Sequence, residues 1–161
     1  MIRTAIAVSV LIVLAGCQYD PWAHNFLTGH AEDKDVAGTY VLDAESQKRE
    51  IRIGLKRTVL PINRSARVVL SRDHRAQFIA VPEDYDGGPC SITGRGSWRI
   101  AKHGGFTLVE ALITNDDPCG PYKRVPFGYQ LRLYGRRPPY KLHVTISDPD
   151  LGDAVQFEKV R

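Results

Sequence analysis

The chain has 161 residues, with 22 basic and 18 acidic side chains and a formal net charge of +4. That length suits one domain of ordinary size, able to bury a real core. Its 14 glycines and 10 prolines go with the lack of any long helical pattern, and its one long apolar run is too short to span a bilayer as a helix.

That run comes first. Arg3 supplies a positive charge, and Ala5 to Leu14 then holds only Ser9 as a polar residue. A charged start, a short apolar core and small residues before a cut site form a secretory signal. Leu14-Ala15-Gly16-Cys17 resembles the lipobox of bacterial lipoproteins. The resemblance implies removal of residues 1–16 and a multi-chain acyl anchor on Cys17, because stable anchoring takes more than one acyl chain. It also implies a lipid-anchored protein of the cell envelope. Gln18 stands where an aspartate would resemble the inner-membrane retention signal, so the expected site is the outer membrane, facing the periplasm.

Without Arg3 the mature chain keeps 21 basic and 18 acidic residues. Residues 17–35 show no sustained periodicity and end in Glu32-Asp33-Lys34-Asp35, so they are expected to form a flexible tether. Trp22 and Phe26 are expected to pack on the domain rather than dip into the lipid interface. His24 and His30 lie six apart with no thiol or carboxylate at ligand spacing, which argues against a metal pair.

From residue 36 onward the recurring signal is alternation at period two, the mark of half-buried strands. Gly38–Leu42 reads as the first strand. Residues 45–57 are ambiguous: Ile51, Leu55 and Val59 at four-residue steps suit a helix, while Ile51, Ile53 and Leu55 alternate as in a strand. The charged opening Glu45–Glu50 tips the expectation to a short helix, although Gly54 costs a helix about 1 kcal/mol. Strands follow at 66–71 and 75–81. A loop carrying Cys90 comes next, then a hairpin of 96–100 and 106–113 across Gly104-Gly105. A second cysteine-bearing loop holds Cys119. Phe127–Leu133 and Tyr140–Ile146 alternate clearly, and 153–160 completes the set with Val155 and Phe157.

About eight strands joined by short turns, with at most one short helix, predict a mainly β fold, an antiparallel up-and-down barrel over residues 36–161. With Gly38-Thr39-Tyr40 opening the domain and Gly96-Ser97-Trp98 at mid-chain, it resembles lipocalin-like small barrels. It also resembles small bacterial lipoproteins whose last hairpin turns on an aspartate–proline–aspartate sequence, here Asp148-Pro149-Asp150. An eight-stranded barrel has room for filling side chains or one small ligand.

Cys90 and Cys119 form an even pair in an exported chain and are expected to bridge. Closing about 29 residues stabilises by ~3 kcal/mol in the chain-entropy model. Between Lys48 and Arg75 nine basic residues face only Glu50 and Asp73. Lys48, Arg49, Arg52, Lys56, Arg57, Arg64 and Arg67 are therefore candidates for an anionic-surface contact, weighed against a solvated face balanced by the acidic loops. Asp148, Asp150 and Asp153 begin like a calcium loop, but the twelfth position is Lys159 rather than glutamate, so no metal is expected. Ser97, His103 and Asp116 exist, as do His74 and His143, yet no serine has a nucleophile elbow and no phosphate, dinucleotide or zinc-protease motif appears. No catalytic residues and no cofactor are assigned. His143 alternates to the outer side of its strand, suiting a solvated or pocket-lining role. Nucleic acid does not fit an exported, tethered protein.

The expectation is a non-enzymatic binding module for a partner protein or a small apolar ligand, joined to the membrane by its N-terminal lipid. A structural or inhibitory lipoprotein acting through its surface is the alternative, with a hydrolytic enzyme third. An interior space lined by Trp98, Phe106, Leu131 and Val144 would favour ligand binding; a close-packed interior would favour surface recognition.

Overall fold

The computed structural model describes residues 20–53, 58–60, 62–85, 88–116, 126–146 and 153–160. Eight strands close into an antiparallel barrel: β1 Gly38–Leu42, β4 Arg67–Leu70, β5 Arg75–Tyr85, β6 Gly88–His103, β7 Phe106–Asn115, β8 Pro126–Tyr134, β9 Lys141–Thr145 and β10 Ala154–Lys159. Each pairs with the next in that order, and β10 returns to β1 through Tyr40↔Lys159 and Leu42↔Phe157. The connectivity is up-and-down, as the successive hairpins predict. A hairpin of β2 Ile51–Ile53 and β3 Thr58–Leu60 is inserted between β1 and β4.

The described part of the helix expected over 45–57, residues 45–53, is not helical in that way. Ser46–Lys48 make one 3-10 turn, and the chain then extends into β2, with Ile51 opposite Leu60 and Ile53 opposite Thr58. β-branched residues at 51, 53, 58 and 59 fit a pleated ribbon better than a helical turn. Cys90 also departs from its expected loop: it lies on β6, opposite Glu83 of β5.

Alternation fills the interior. Tyr40 and Leu42, Val68 and Leu70, Ala76 and Phe78, Ile92 and Trp98, Val109, Ala111 and Ile113, Tyr129, Leu131 and Leu133, Leu142 and Val144, and Val155 and Phe157 form one buried cluster. The aromatic side chains occupy the space that a hollow barrel would leave open. Phe78 meets Tyr129 edge-on at 5.2 Å, and Trp98 donates Nε1–H to the carbonyl of Ser71 at 2.8 Å. At one end the short helix α1 (Asp33–Val36) leads into β1, and Tyr40 donates to the carbonyl of Val36 at 2.5 Å.

Two local devices shape the wall. Between β6 and β7 the turn is only Gly104-Gly105, with φ of 56° and 85°, the left-handed pair that a two-residue hairpin requires. Along β6, Gly96 passes so close to β7 that an added Cβ would land on the carbonyl oxygen of Leu112. Gly128, by contrast, has nothing within 4 Å of such an atom. Gly96→Ala is therefore expected to destabilise by about 1–3 kcal/mol through overpacking, while Gly128→Ala leaves the thermal midpoint nearly unchanged. Melts of the two variants side by side check this.

Candidate functional site

Residues 20–35, expected to be a flexible tether, are docked on the barrel from Asp20 onward. Asp20 pairs with Arg132 on the outer side of β8. The N–H of Leu27 donates to Leu133 at 2.9 Å, and its carbonyl accepts from Thr107 at 2.7 Å, so the chain crosses from β8 to β7 by main-chain bonds. Asn25 accepts from the N–H of Gly135, and the hydroxyl of Thr107 donates to Gly29. Phe26 is buried between Phe106 and Tyr134, ring centroids at 5.5 and 6.2 Å, with the Arg132 guanidinium 4.9 Å above its ring. Paired backbone and buried aromatic area hold this strap down; Trp22 and Phe26 pack on the domain.

The strap changes the character of β9. His143 does point outward, as its alternation says, but Trp22, Phe26 and Tyr134 cover it at centroid distances of 5.6, 4.9 and 6.1 Å. It is 1% exposed rather than solvated. Neither ring nitrogen has a hydrogen-bond partner among the described residues. Burial pushes its pKa down to about 4; Asp20 opposes the shift, while Arg132 and Arg49 add to it. The imidazole is thus neutral near pH 7.

Beside it a cleft of about 340 Å³ opens between Trp22 and the turn after β1, with Arg49, Tyr134, Lys141, His143 and Gln156 in its lining. Buried Asp43 accepts from the N–H of Ser46 at 2.8 Å and from Lys141 Nζ at 2.7 Å. Burial alone raises its pKa, but the hydrogen bonds from Lys141 and Ser46 outweigh that and hold it below the usual carboxylate value. A second, larger depression of about 480 Å³ lies on the outer wall of β6–β8. Leu112, 53% exposed, stands at its centre opposite Ser97 and Gly128, bordered by the Arg99–Glu110 ion pair at 2.6 Å and by Gln130. Because Gly128 carries no side chain, the wall is hollowed there.

The described basic candidates are spread over several elements. Lys48 and Arg49 are both exposed, and Arg49 lines the strap cleft; it lies 5.0 Å from the Trp22 ring and donates to the carbonyl of Ala154. Arg67 is exposed on β4, which stands four places from β8 in either direction around the barrel and so faces away. Arg64 is exposed in the loop before it, and Arg52 lies on β2. Lys56 and Arg57 lie outside the described residues, as do Cys17, Cys119, Asp148 and Asp150. Ser97, His103 and Asp116 are not brought together: His103 ends β6 at the Gly104-Gly105 turn, and Asp116 follows the far end of β7, roughly 30 Å away at about 3.4 Å per strand residue. Of the four residues named for an interior pocket, Trp98, Leu131 and Val144 are buried in the packed core, and Phe106 faces the strap on the outside.

The strap was missed because its contacts are to residues about 80 to 120 positions away; its only local signal is Trp22 and Phe26 within an otherwise polar stretch. No family model, no curated protein and no solved structure matches the chain, so its reading rests on its own geometry.

Proposed function

We propose that this chain is a lipid-anchored protein of the cell envelope, held at the outer membrane and facing the periplasm, whose barrel is a non-enzymatic binding module acting through its outer wall on a partner protein. The observation that carries the reading is the filled interior: Tyr40, Phe78, Trp98, Tyr129 and Phe157 are all buried within one cluster. Eight strands enclose only enough room for such side chains or one ligand, and here the side chains take it. The recognition surface is the depression around Leu112, where an exposed apolar residue is ringed by Arg99, Glu110 and Gln130. An apolar centre inside a polar rim is the usual anatomy of a protein contact.

The anchor belongs to the same proposal, resting on Leu14–Cys17 and on the lipobox resemblance. So does the bridge between Cys90 and Cys119, supported by Cys90 being a bonded rather than a titrating thiol. Two measurements test the reading. Titration with a fluorescent fatty acid is expected to show no saturable uptake; one-to-one uptake would favour a ligand carrier. Intact mass with and without reductant after alkylation is expected to differ by two blocked thiols; thiols blocked without reductant would remove the bridge.

A further inference from the structure

The strap leaves very little chain between the barrel and Cys17. Asp20 is fixed to Arg132 on the outside of β8, and three residues of fully extended chain reach no more than about 11 Å. On the anchor reading above, on which this inference rests, the Cys17 Cα therefore lies within about 11 Å of the Asp20 Cα, and its acyl chains enter the bilayer near the β8–β9 wall. A barrel on a long tether would tumble freely; this one is held close by one side.

We infer that the wall of β8, β9 and β10 lies against the bilayer surface, and that the cleft under Trp22 receives the phosphate of an anionic phospholipid. Charge on this wall favours that occupant. Lys48 and Arg49 are exposed, Lys141 is half-exposed, and Arg136 and Arg137 are exposed in the turn between β8 and β9. Against them stand exposed Glu45, 3.6 Å from Lys48, and exposed Glu158, 4.0 Å from Lys141. Buried Asp43 cancels Lys141 and Asp20 cancels Arg132, while Asp153 lies near enough to Arg49 to feel its charge and exposed Glu50 follows it in the chain, so the excess rests on Arg49, Arg136 and Arg137. The Arg49 bond to Ala154 uses one of the five N–H donors of a guanidinium, and its planar fork matches phosphate oxygens. Trp22, half-buried over the cleft, has the amphipathic ring that settles at headgroup level. At the cleft floor, His143 has ring nitrogens without a protein partner. The Leu112 depression shares β8 with this wall, through Gly128 and Gln130, and so opens at the edge of the bilayer-facing side.

Tryptophan emission reads this directly, because the chain has two tryptophans and Trp98 is buried inside the barrel. The full chain, purified from its own membranes, is reconstituted into vesicles of phosphatidylethanolamine with or without phosphatidylglycerol, each doped with a headgroup-spin-labelled lipid. Trp22 emission is expected to be quenched at least about twofold more strongly with phosphatidylglycerol. Trp22→Phe is expected to remove the quenched component, and Arg49→Gln the preference for the anionic lipid. Quenching that persists in Trp22→Phe, or equal quenching in both vesicles, would overturn the inference. Loss of the preference in millimolar inorganic phosphate would show a free-anion site instead of a lipid one, which also overturns it. The mass of the same preparation scores the anchor separately: an acylated Cys17 with unquenched Trp22 overturns this inference alone, whereas an unacylated chain overturns the anchor reading and this inference with it.

Discussion

Replacing Phe78 with alanine is expected to lower the unfolding free energy by about 3–5 kcal/mol, the cost of deleting a fully buried aromatic side chain. Phe78 is 0% exposed and meets Tyr129 edge-on. Its neighbours come from strands closed into a ring, so they have little freedom to collapse into the gap. Phe78→Leu keeps most of the volume and is expected to cost under about 1.5 kcal/mol. The same substitution probes the filled interior. An apolar cavity of this kind stays dry and accepts a small apolar guest, so benzene is expected to raise the thermal midpoint of Phe78→Ala and not that of the natural chain. Urea unfolding gives the first quantity and thermal melts the second. Stabilisation of the natural chain by benzene would mean that the interior already holds usable space.

Acidification is expected to produce the second large effect, through His143. Its pKa falls from an ordinary 6.5 to about 4 in the folded protein, chiefly by burial. The unfolded chain therefore binds more protons between those values, and stability is lost as pH falls from about 6.5 to about 4. One group shifted this far accounts for about 3 kcal/mol. The other four histidines are exposed. His143→Phe places an apolar ring among Trp22, Phe26 and Tyr134 and is expected to flatten that part of the profile. Urea midpoints of the two proteins at pH 8 and pH 4 measure the difference. Parallel profiles would show that another group carries the acid sensitivity. Protonation also places a charge beneath the strap, so proteolysis near Trp22 is expected to begin before the barrel opens.

The barrel was legible because each of its strands declares itself separately. Tyr140, Leu142, Val144 and Ile146 alternate with Lys141, His143 and Thr145, and the structure buries that apolar set in the core. Short turns between such strands leave little topological choice, and an up-and-down order follows. The segment 45–57 was not legible in the same way, since its residues satisfy both periods and only pairing with Thr58–Leu60 decides between them. The strap lay further out of reach. Phe26 is buried by Phe106 and Tyr134, and nothing within residues 20–30 announces those partners. His143 shows the consequence: its outward direction was readable, but its burial depends on a segment about 120 positions earlier. Where the described members of the basic stretch fall was also not legible, for a geometric reason. Residues close in sequence follow the chain around the barrel, so Arg49 stays beside Trp22 while Arg67 is carried to β4, across from β8.

These features give the molecule a strap and basic cleft over β8 and β9, a hollow around Leu112 on the adjoining β6–β8 wall, and, among the described residues, a core filled by side chains. Native mass spectrometry of the full chain extracted from its own envelope tests that account most directly. The predicted result is a chain beginning at Cys17, carrying the mass of its acyl groups, with no small apolar molecule retained. An unmodified cysteine, or an apolar ligand released only on denaturation, would contradict it.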